Sequence, residues 1–370
     1  MKVAFVGVPC DIQALRKIEA LSTQEWKDSI ELQVGLFCRE NWAYTCFRAL
    51  IEDDYGVKLE NVEKFDIKKG NIIAFLRDGN KLEIPLKKSR PYVRIGCQVC
   101  LDFTAELADI SIGAVGTPLK WSTVVVRTTK GEEVVEGAIR EGYIEAMPIE
   151  EVKPGIPLIK RISDEKKEEN LAEANARHKR GITPLHIKTI GEKDLEKLRK
   201  DATGKDFRAL ERDVIDVGAC IACGACEAVC PDNCVKVIDQ KPRLQKSCEK
   251  EECNDCYLLC PRTFLPLLAL EDRIFSNGAQ LVKGVGKCLK IYAARAKDPE
   301  ILEKGQDGGA VTAILAYALD KGVVDQVVSA TKGGDPWKPR PKISSSIEEL
   351  KETSGTIYSH STSIPTLRYR

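Results

Sequence analysis

The sequence is short of net charge. Its 370 residues carry 57 Lys+Arg against 56 Asp+Glu, which leaves +1 at pH 7. A nucleic-acid binder needs a basic excess or stripe to neutralise phosphates, so that class is set aside. No apolar run approaches the length of a membrane-spanning helix, and the first residues lack the basic, apolar and small-residue regions of a secretory leader. The expectation is a cytoplasmic protein, peripheral on any larger complex that it joins. No G-x-G-x-x-G follows a strand, which excludes an ordinary Rossmann turn. "GVGK" at Gly284–Lys287 lacks both the Walker spacing and the Ser/Thr, and reads as a loop. There are three histidines, and His178, His186 and His360 show neither ligand nor triad spacing. Methionine is also scarce, at two, while Lys and Glu abound; a thermophilic source is compatible with this.

Cysteine is plentiful, with fifteen in all. Without a secretion signal, metal or redox chemistry is a better reading than disulfides. "CIACGACEAVCP" places Cys220, Cys223, Cys226 and Cys230 before Pro231, and "CEKEECNDCYLLCP" places Cys248, Cys253, Cys256 and Cys260 before Pro261. This is the bacterial two-cluster ferredoxin pattern, with one gap lengthened in the second run. Three thiolates on a tight, small-residue loop reach different irons of one cubane, and the loop's N–H groups hydrogen-bond the sulfurs. The fourth cysteine of each run, ahead of its proline, crosses to the other cluster. One [4Fe-4S] set is therefore Cys220, Cys223, Cys226 and Cys260; the other is Cys248, Cys253, Cys256 and Cys230. A pair of zinc knuckles is the competing reading of CxxC spacing.

Residues 1–181 alternate strands and helices. "KVAFVGV" and "LQVGLF" read as strands, and "CDIQALRKIEAL" and "TCFRALIEDDYG" as helices. "NIIAFLRDGNKLEIPL" reads as a hairpin about Asp78-Gly79. "ADISIGAVG" and "WSTVVVRTTKG" read as two strands joined by a Gly/Pro turn, and "GEEVVEGAIREG" as a helix with a glycine stop. From Ser163 the text "SDEKKEENLAEANARHKR" reads as a solvent-facing helix. Residues 182–212 read as a polar linker or an extra helical layer, 213–264 as the ferredoxin module, and 265–298 as a connector. Residues 299–370 contain "DGGAVTAILAYALDKGVVDQVVSA", a helix and then a strand.

Four further cysteines fall in the first part. Cys10 follows one strand-like run, Cys38 ends another, and Cys97 and Cys100 form "GCQVC". Adjacent parallel strands present their carboxyl ends along one edge, so Cys10 and Cys38 can sit side by side with the CxxC loop closing over them. On pattern alone, two buried core cysteines plus an unrelated CxxC is the equal alternative.

"GVPCDIQALRKI", "GLFCRENWAYT", "CQVCLDFTAELADISIGAVG" and "WSTVVVRT" resemble successive signature stretches of the beta subunits of coenzyme F420-reducing hydrogenases and F420-dependent dehydrogenases. "QDGGAVTAILAYALDKGVVD" and "WKPRPKISSSIEELKETSGTIYS" resemble the amino-terminal region of that family. The order of the parts departs from the family, in which the second group precedes the first. Met1 falls where the two halves are ordinarily joined. A circular permutant is the preferred reading; the tail of one copy fused to the head of another is the alternative.

The resemblance implies an α/β flavin- and F420-binding domain (a mixed sheet with helices), split into parts 1–181 and 299–370, plus a small α+β ferredoxin domain of the bacterial two-cluster type. It places a [4Fe-4S] cluster on Cys10, Cys38, Cys97 and Cys100. The implied cofactors are FAD, coenzyme F420 and three [4Fe-4S] clusters, accounting for twelve cysteines. Cys46 is expected in a helix core, and Cys234 and Cys288 have no assigned role. Candidate flavin contacts are Asn41, Lys69, Gly113, Gly116, Trp121, Gln306, Gly308, Gly309, Thr312, Gly355, Thr356 and Tyr358, with the Gln306–Gly309 turn a candidate pyrophosphate cradle. The hydride moves directly between two cofactors, so no acid–base residue is required.

The implied activity is F420H2 dehydrogenase or F420-reducing oxidoreductase chemistry of the archaeal methanogenesis type. Partners are other redox subunits: a hydrogenase, formate dehydrogenase, membrane dehydrogenase, sulfite reductase or heterodisulfide reductase. Two other readings stand beside it. One is a ferredoxin-type relay subunit without a flavin site. The other is a same-fold flavoenzyme acting on another organic substrate, as in the chlorophyll-reducing relatives.

Overall fold

A computed structural model describes residues 1–182, 195–248, 253–275 and 278–368, with backbone only at 187–188. His186 lies outside the described residues.

Eight strands form one mixed sheet: β1 (Val3–Gly7), β2 (Ile30–Leu36), β3 (Ile110–Gly113), β4 (Ser122–Val126), β5 (Ile144–Pro148), β6 (Lys290–Ala296), β7 (Gln326–Lys332) and β8 (Pro339–Ser344). Their spatial order is β8-β7-β1-β2-β3-β4-β6-β5. The pairs β7/β1, β1/β2 and β2/β3 are parallel, and the rest are antiparallel. The parallel centre is covered on both faces, which is why "VAFVG" reads as a continuous apolar run; the antiparallel β4, "STVVV", is buried along its whole length.

The two ends of the chain share this sheet. Phe5 of β1 lies opposite Val328 of β7, and Val125 of β4 opposite Ile291 of β6. The residues of both halves therefore build one composite sheet within a single chain. β6 lies inside the stretch expected as a connector; its text, "KIYAARA", is alanine-rich and low in β-branched residues, so it carries a weak strand signal.

Helix α1 (Pro9–Leu21) starts directly after β1 with Pro at its first turn, where the missing N–H costs nothing. Its apolar residues Ile12, Leu15 and Ile18 pack in one core with Ile221, Val229 and Leu258 of the cysteine-rich segment. Helices α2 (Thr129–Arg140) and α4 (Ala310–Asp320) cover the other face. The hairpin about Asp78-Gly79 is present, in a three-stranded antiparallel sheet of Val62–Lys68, Asn71–Leu76 and Lys81–Pro85.

Helix α3 (Ile156–Lys179) contains the charged run, but it is not simply solvent-facing. Ser163, Lys166 and Arg177 are buried. The stretch after it contributes Leu198, Phe207 and Leu210 to the core around the cysteine-rich segment, so it forms a helical layer rather than a free linker. Cys46 is half-buried on the short helix Tyr44–Ala49.

Candidate metal centre

Gly7 of β1 lies opposite Gly35 of β2, so the chain leaves both strands along one edge of the sheet. Cys10 in the first turn of α1 and Cys38 just past β2 are thereby brought together. The tight turn Ile95–Val99 carries Cys97, and Cys100 follows it. All four cysteines line one small hollow with Asn41, Arg94, Lys166, Ile221, Arg262 and His360.

Two buried cations enter this hollow. Lys166 of α3 donates to the carbonyls of Cys38 and Asp102, each at 2.6 Å. Arg262, directly after the Cys260-Pro261 pair, is 3% exposed. None of its three nitrogens reaches an oxygen acceptor. It lines the hollow with Cys100, Cys10 and Cys97, whose sulfurs act on its charge most strongly. Burial pushes the thiols of Cys10, Cys38 and Cys97 up. Burial acts on Cys100 too, but Lys166 and Arg262 outweigh it and hold that thiol below its ordinary value. Asn170 of α3 donates to the carbonyls of Cys97 at 2.9 Å and Cys100 at 2.6 Å, fixing the CxxC loop from outside.

The donor set fits an anionic iron–sulfur cluster. Four convergent sulfurs and two fixed cations match a negatively charged cubane. The Arg262 nitrogens, the Asn41 Oδ1 and the His360 Nδ1 are all buried with no oxygen or nitrogen partner in the protein, and all three residues line the hollow. Buried polar atoms of this kind are rare in native proteins unless a bound group supplies the partner.

The cysteine-rich segment brings its two runs close together. Among the cysteines acting on Cys226 the strongest are Cys220, Cys223 and Cys260, ahead of Cys256; on Cys256 the strongest are Cys253, Cys230 and Cys248, ahead of Cys260. The fourth cysteine of each run thus stands with the other run's three. Backbone N–H groups of Ala222, Arg262 and Cys234 donate to the sulfurs of Cys220, Cys260 and Cys230 at 3.4, 3.4 and 3.1 Å. Left-handed backbone at Ala222 and Gly224 makes the first loop tight enough for this. Cys234 is fully buried beside Cys230 and Cys248. Cys288 is buried near Arg127.

This segment is bound firmly to the sheet domain. Lys17 of α1, fully buried, donates to the carbonyls of Cys260 at 2.6 Å and Phe264 at 2.7 Å. Arg368 donates to the Pro231 carbonyl at 3.0 Å and to that of Cys230. A Cβ added to Gly96, next to Cys97, would stand 2.7 Å from the Ala219 carbonyl and 2.9 Å from that of Cys220. The two cysteine loops touch through bare backbone.

The candidate flavin residues fall into three groups. Around the Gln306–Gly309 turn, the Gln306 amide donates to the Phe65 carbonyl at 3.1 Å and to Asp66 at 3.2 Å, and the Gly308 N–H donates to Ser122 at 3.2 Å. These two groups hold the turn against the ends of the sheets, so their donors are spent inside the protein. Gly309 adopts left-handed backbone ahead of α4, and Thr312 in the first turn pairs with Ser354 at 3.2 Å. Half-buried Tyr358 packs edge-on to Trp42, and burial followed by Asp66 and Asp307 raises its hydroxyl pKa. Gly355 and Thr356 lie in the same segment, exposed and half-buried.

In the second group, Gly113 and Gly116 answer to packing: a Cβ would meet the Phe37 ring at 2.3 Å or Ile159 at 2.8 Å. Trp121 beside them carries the Arg295 guanidinium 4.6 Å from its ring centroid. Third, Asn41 stands in the cysteine hollow, and Lys69 is exposed in the turn between two strands of the small sheet.

Sequence reasoning missed Lys166, Asn170, Arg262 and His360. His360 is held by Asp11, with Nε2 3.0 Å from the carboxylate. Nothing local marks it, since the partner is 349 residues away.

Residues 1–152 match the family model for the C terminus of the "Coenzyme F420 hydrogenase/dehydrogenase, beta subunit", and residues 291–368 match the model for the N terminus of the same protein. The chain belongs to this family. Its two family parts occur in reversed order, as in a circular permutation. The beta subunit of the coenzyme F420 hydrogenase of Methanosarcina barkeri is 39% identical over 183 residues, covering 49% of this chain and 63% of that one. The coenzyme F420-dependent sulfite reductase of Methanocaldococcus jannaschii is 39% identical over 155 residues, 38% of this chain and 24% of that one. A component of the F420H2 dehydrogenase of Methanosarcina mazei is 31% identical over 170 residues, 46% of this chain and 47% of that one. The chain therefore spans less than two thirds of the length of these curated relatives. A chain of the solved F420-reducing [NiFe] hydrogenase complex from Methanosarcina barkeri is 39% identical, with a TM-score of 0.46 over 48% of this chain and 61% of that one. No described helix is long and apolar enough to cross a membrane.

Proposed function

We propose that the chain is an F420-linked redox subunit that binds coenzyme F420, FAD and three [4Fe-4S] clusters and passes electrons to or from a partner redox protein. The observation that carries this reading is the family match on both ends of one composite sheet, combined with three convergent four-cysteine sets. When bound, the deazaflavin exchanges hydride, the flavin converts between two-electron and one-electron transfer, and each cluster carries one electron.

The chain's own residues supply placement. Cys10, Cys38, Cys97 and Cys100 hold the first cluster at the edge of β1 and β2. Lys166 and Arg262 balance its charge, and Asn170 fixes the CxxC loop. The start of α4, whose first N–H groups have no intrahelical partner, together with the Thr312/Ser354 hydroxyl pair, is the phosphate-holding part of the flavin site. Gln306 and Gly308 act as the braces of that turn, and Gly113 and Gly116 allow the neighbouring loop to close on Phe37 and Ile159.

Candidate partners are those of the relatives: hydrogenase, formate dehydrogenase and sulfite reductase assemblies. The test is an anaerobic assay of F420H2 oxidation with an artificial one-electron acceptor. Turnover that is lost on Thr312→Val together with bound FAD supports the reading. Electron acceptance from ferredoxin-type donors without F420H2 oxidation would leave a relay protein instead.

A further inference from the structure

We infer that Arg262 is a positioning residue that sets the reduction potential of the Cys10/Cys38/Cys97/Cys100 cluster, so that the cysteine-rich module tunes a cluster it does not ligate. This rests on the cluster assignment proposed above. It comes from a cation that, among the described residues of this region, is enclosed without any oxygen acceptor.

The comparison with other buried cations in the same chain is informative. Arg127 is 0% exposed, and its nitrogens are met by the carbonyls of Lys287 at 2.8 Å and Val285 at 2.9 Å and by the hydroxyls of Ser111 at 2.7 Å and Thr104 at 3.1 Å. Lys17 and Lys166 are each met by two carbonyls. All three are tied to protein oxygens, and Lys166 also adds its charge to the cysteine hollow. Arg262 is 3% exposed and has no such oxygens. A buried guanidinium without acceptors is strongly destabilising, so its site is complete only when an anion lies against it.

The groups that face Arg262 identify that anion. They are Cys100, Cys10 and Cys97 of the sheet domain, which line the same hollow as Arg262, with Cys220 of the module also within its field. Arginine stays charged at every working pH, so its influence is a fixed field. A positive charge favours the more negative, reduced state of a cluster and therefore raises its potential. Arg262 follows Cys260, a member of the Cys220 set, by two residues. It therefore stands between two cysteine sets whose loops also meet at Gly96. The order of the sets follows: the Cys220 set adjoins the Cys10 set. In the remaining set, Cys248 is exposed and Cys253 half-buried, so that set lies toward the outside.

The experiment is an EPR-monitored redox titration of the intact chain, purified anaerobically, comparing wild type with Arg262→Gln and Arg262→Lys. The signal of the Cys10 set is identified by its loss in Cys10→Ser. In Arg262→Gln that signal is expected to move to lower potential by about a tenfold change in equilibrium constant, 59 mV for one electron, while the outermost cluster keeps its midpoint. Arg262→Lys is expected to stay close to wild type. Loss of that cluster's iron in Arg262→Gln but not in Arg262→Lys would equally show that the charge is required.

An unmoved midpoint in a fully loaded Arg262→Gln overturns the inference, as do equal shifts or equal iron loss in both variants. A wild-type chain with only about eight irons, and no signal removed by Cys10→Ser, would instead bring down the cluster assignment itself.

Discussion

Lys17 and Cys260 are separated by 243 residues, yet the Nζ of the fully buried Lys17 donates to the Cys260 carbonyl at 2.6 Å. The same ammonium lies 3.5 Å from the centroid of the Phe264 ring. One side chain of the first helix thus closes the end of the second cysteine run and anchors the module to the sheet domain. Replacing it with methionine keeps the packing but leaves two buried carbonyls without their donor. Lys17→Met is expected to cost about 1.5–3 kcal/mol, read as a lower midpoint in urea unfolding, and to speed proteolytic release of the 213–264 segment.

Gly96 tests the contact between the two cysteine loops. Its added Cβ meets two backbone carbonyls below 3 Å, and neither is the end of a flexible side chain. Gly96→Ala is expected to destabilise by about 1–3 kcal/mol, the range for forced overpacking, and to lower iron retention. A variant as stable as wild type would place the loops farther apart than described.

Asn170 holds both carbonyls of the CxxC loop from α3. Asn170→Ala removes two hydrogen bonds without touching a sulfur, at a cost of about 1–3 kcal/mol. The expected result is a normal far-ultraviolet spectrum with faster loss of about four irons of the total to a chelator. Uniform loss from all clusters would contradict the local role.

Asp307, in the turn before α4, has its pKa raised by burial and then by Asp66, against the pull of Lys68 and Lys64. The folded state therefore holds its proton more tightly than the unfolded chain does. By linkage, the group's contribution to stability is present at low pH and is lost as pH rises through the folded value. Asp307→Asn, which cannot ionise, is expected to raise the thermal midpoint at pH 7 and to change it little at pH 3. The reverse pattern would show that the ionised carboxylate is stabilised where it sits.

Much of the sheet was legible in the sequence because it is locally encoded. "VAFVG", "LQVGLF" and "STVVV" are short runs rich in apolar and β-branched residues, and they lie in or overlap β1, β2 and β4. The meeting of Cys10, Cys38, Cys97 and Cys100 in one hollow was open to anticipation because Cys10 and Cys38 follow adjacent strands. What escaped was the charged lining. The run containing Lys166 and Asn170 carries the composition of a solvated helix, and only the fold turns one of its stripes toward the cysteines. Arg262 looked like any residue after a Cys-Pro pair. β6 was hidden by its alanines, whose strand preference comes from burial between β4 and β5 rather than from the side chain itself.

The most direct test of the account is a count of cofactors. The intact chain, purified without oxygen, should contain about one FAD and about twelve irons, and Cys10→Ser should lose about four of those irons while the ferredoxin-type signals persist. A flavin-free chain with about eight irons, unchanged by Cys10→Ser, would show that the composite sheet holds neither the flavin nor a cluster, and would contradict the central claim.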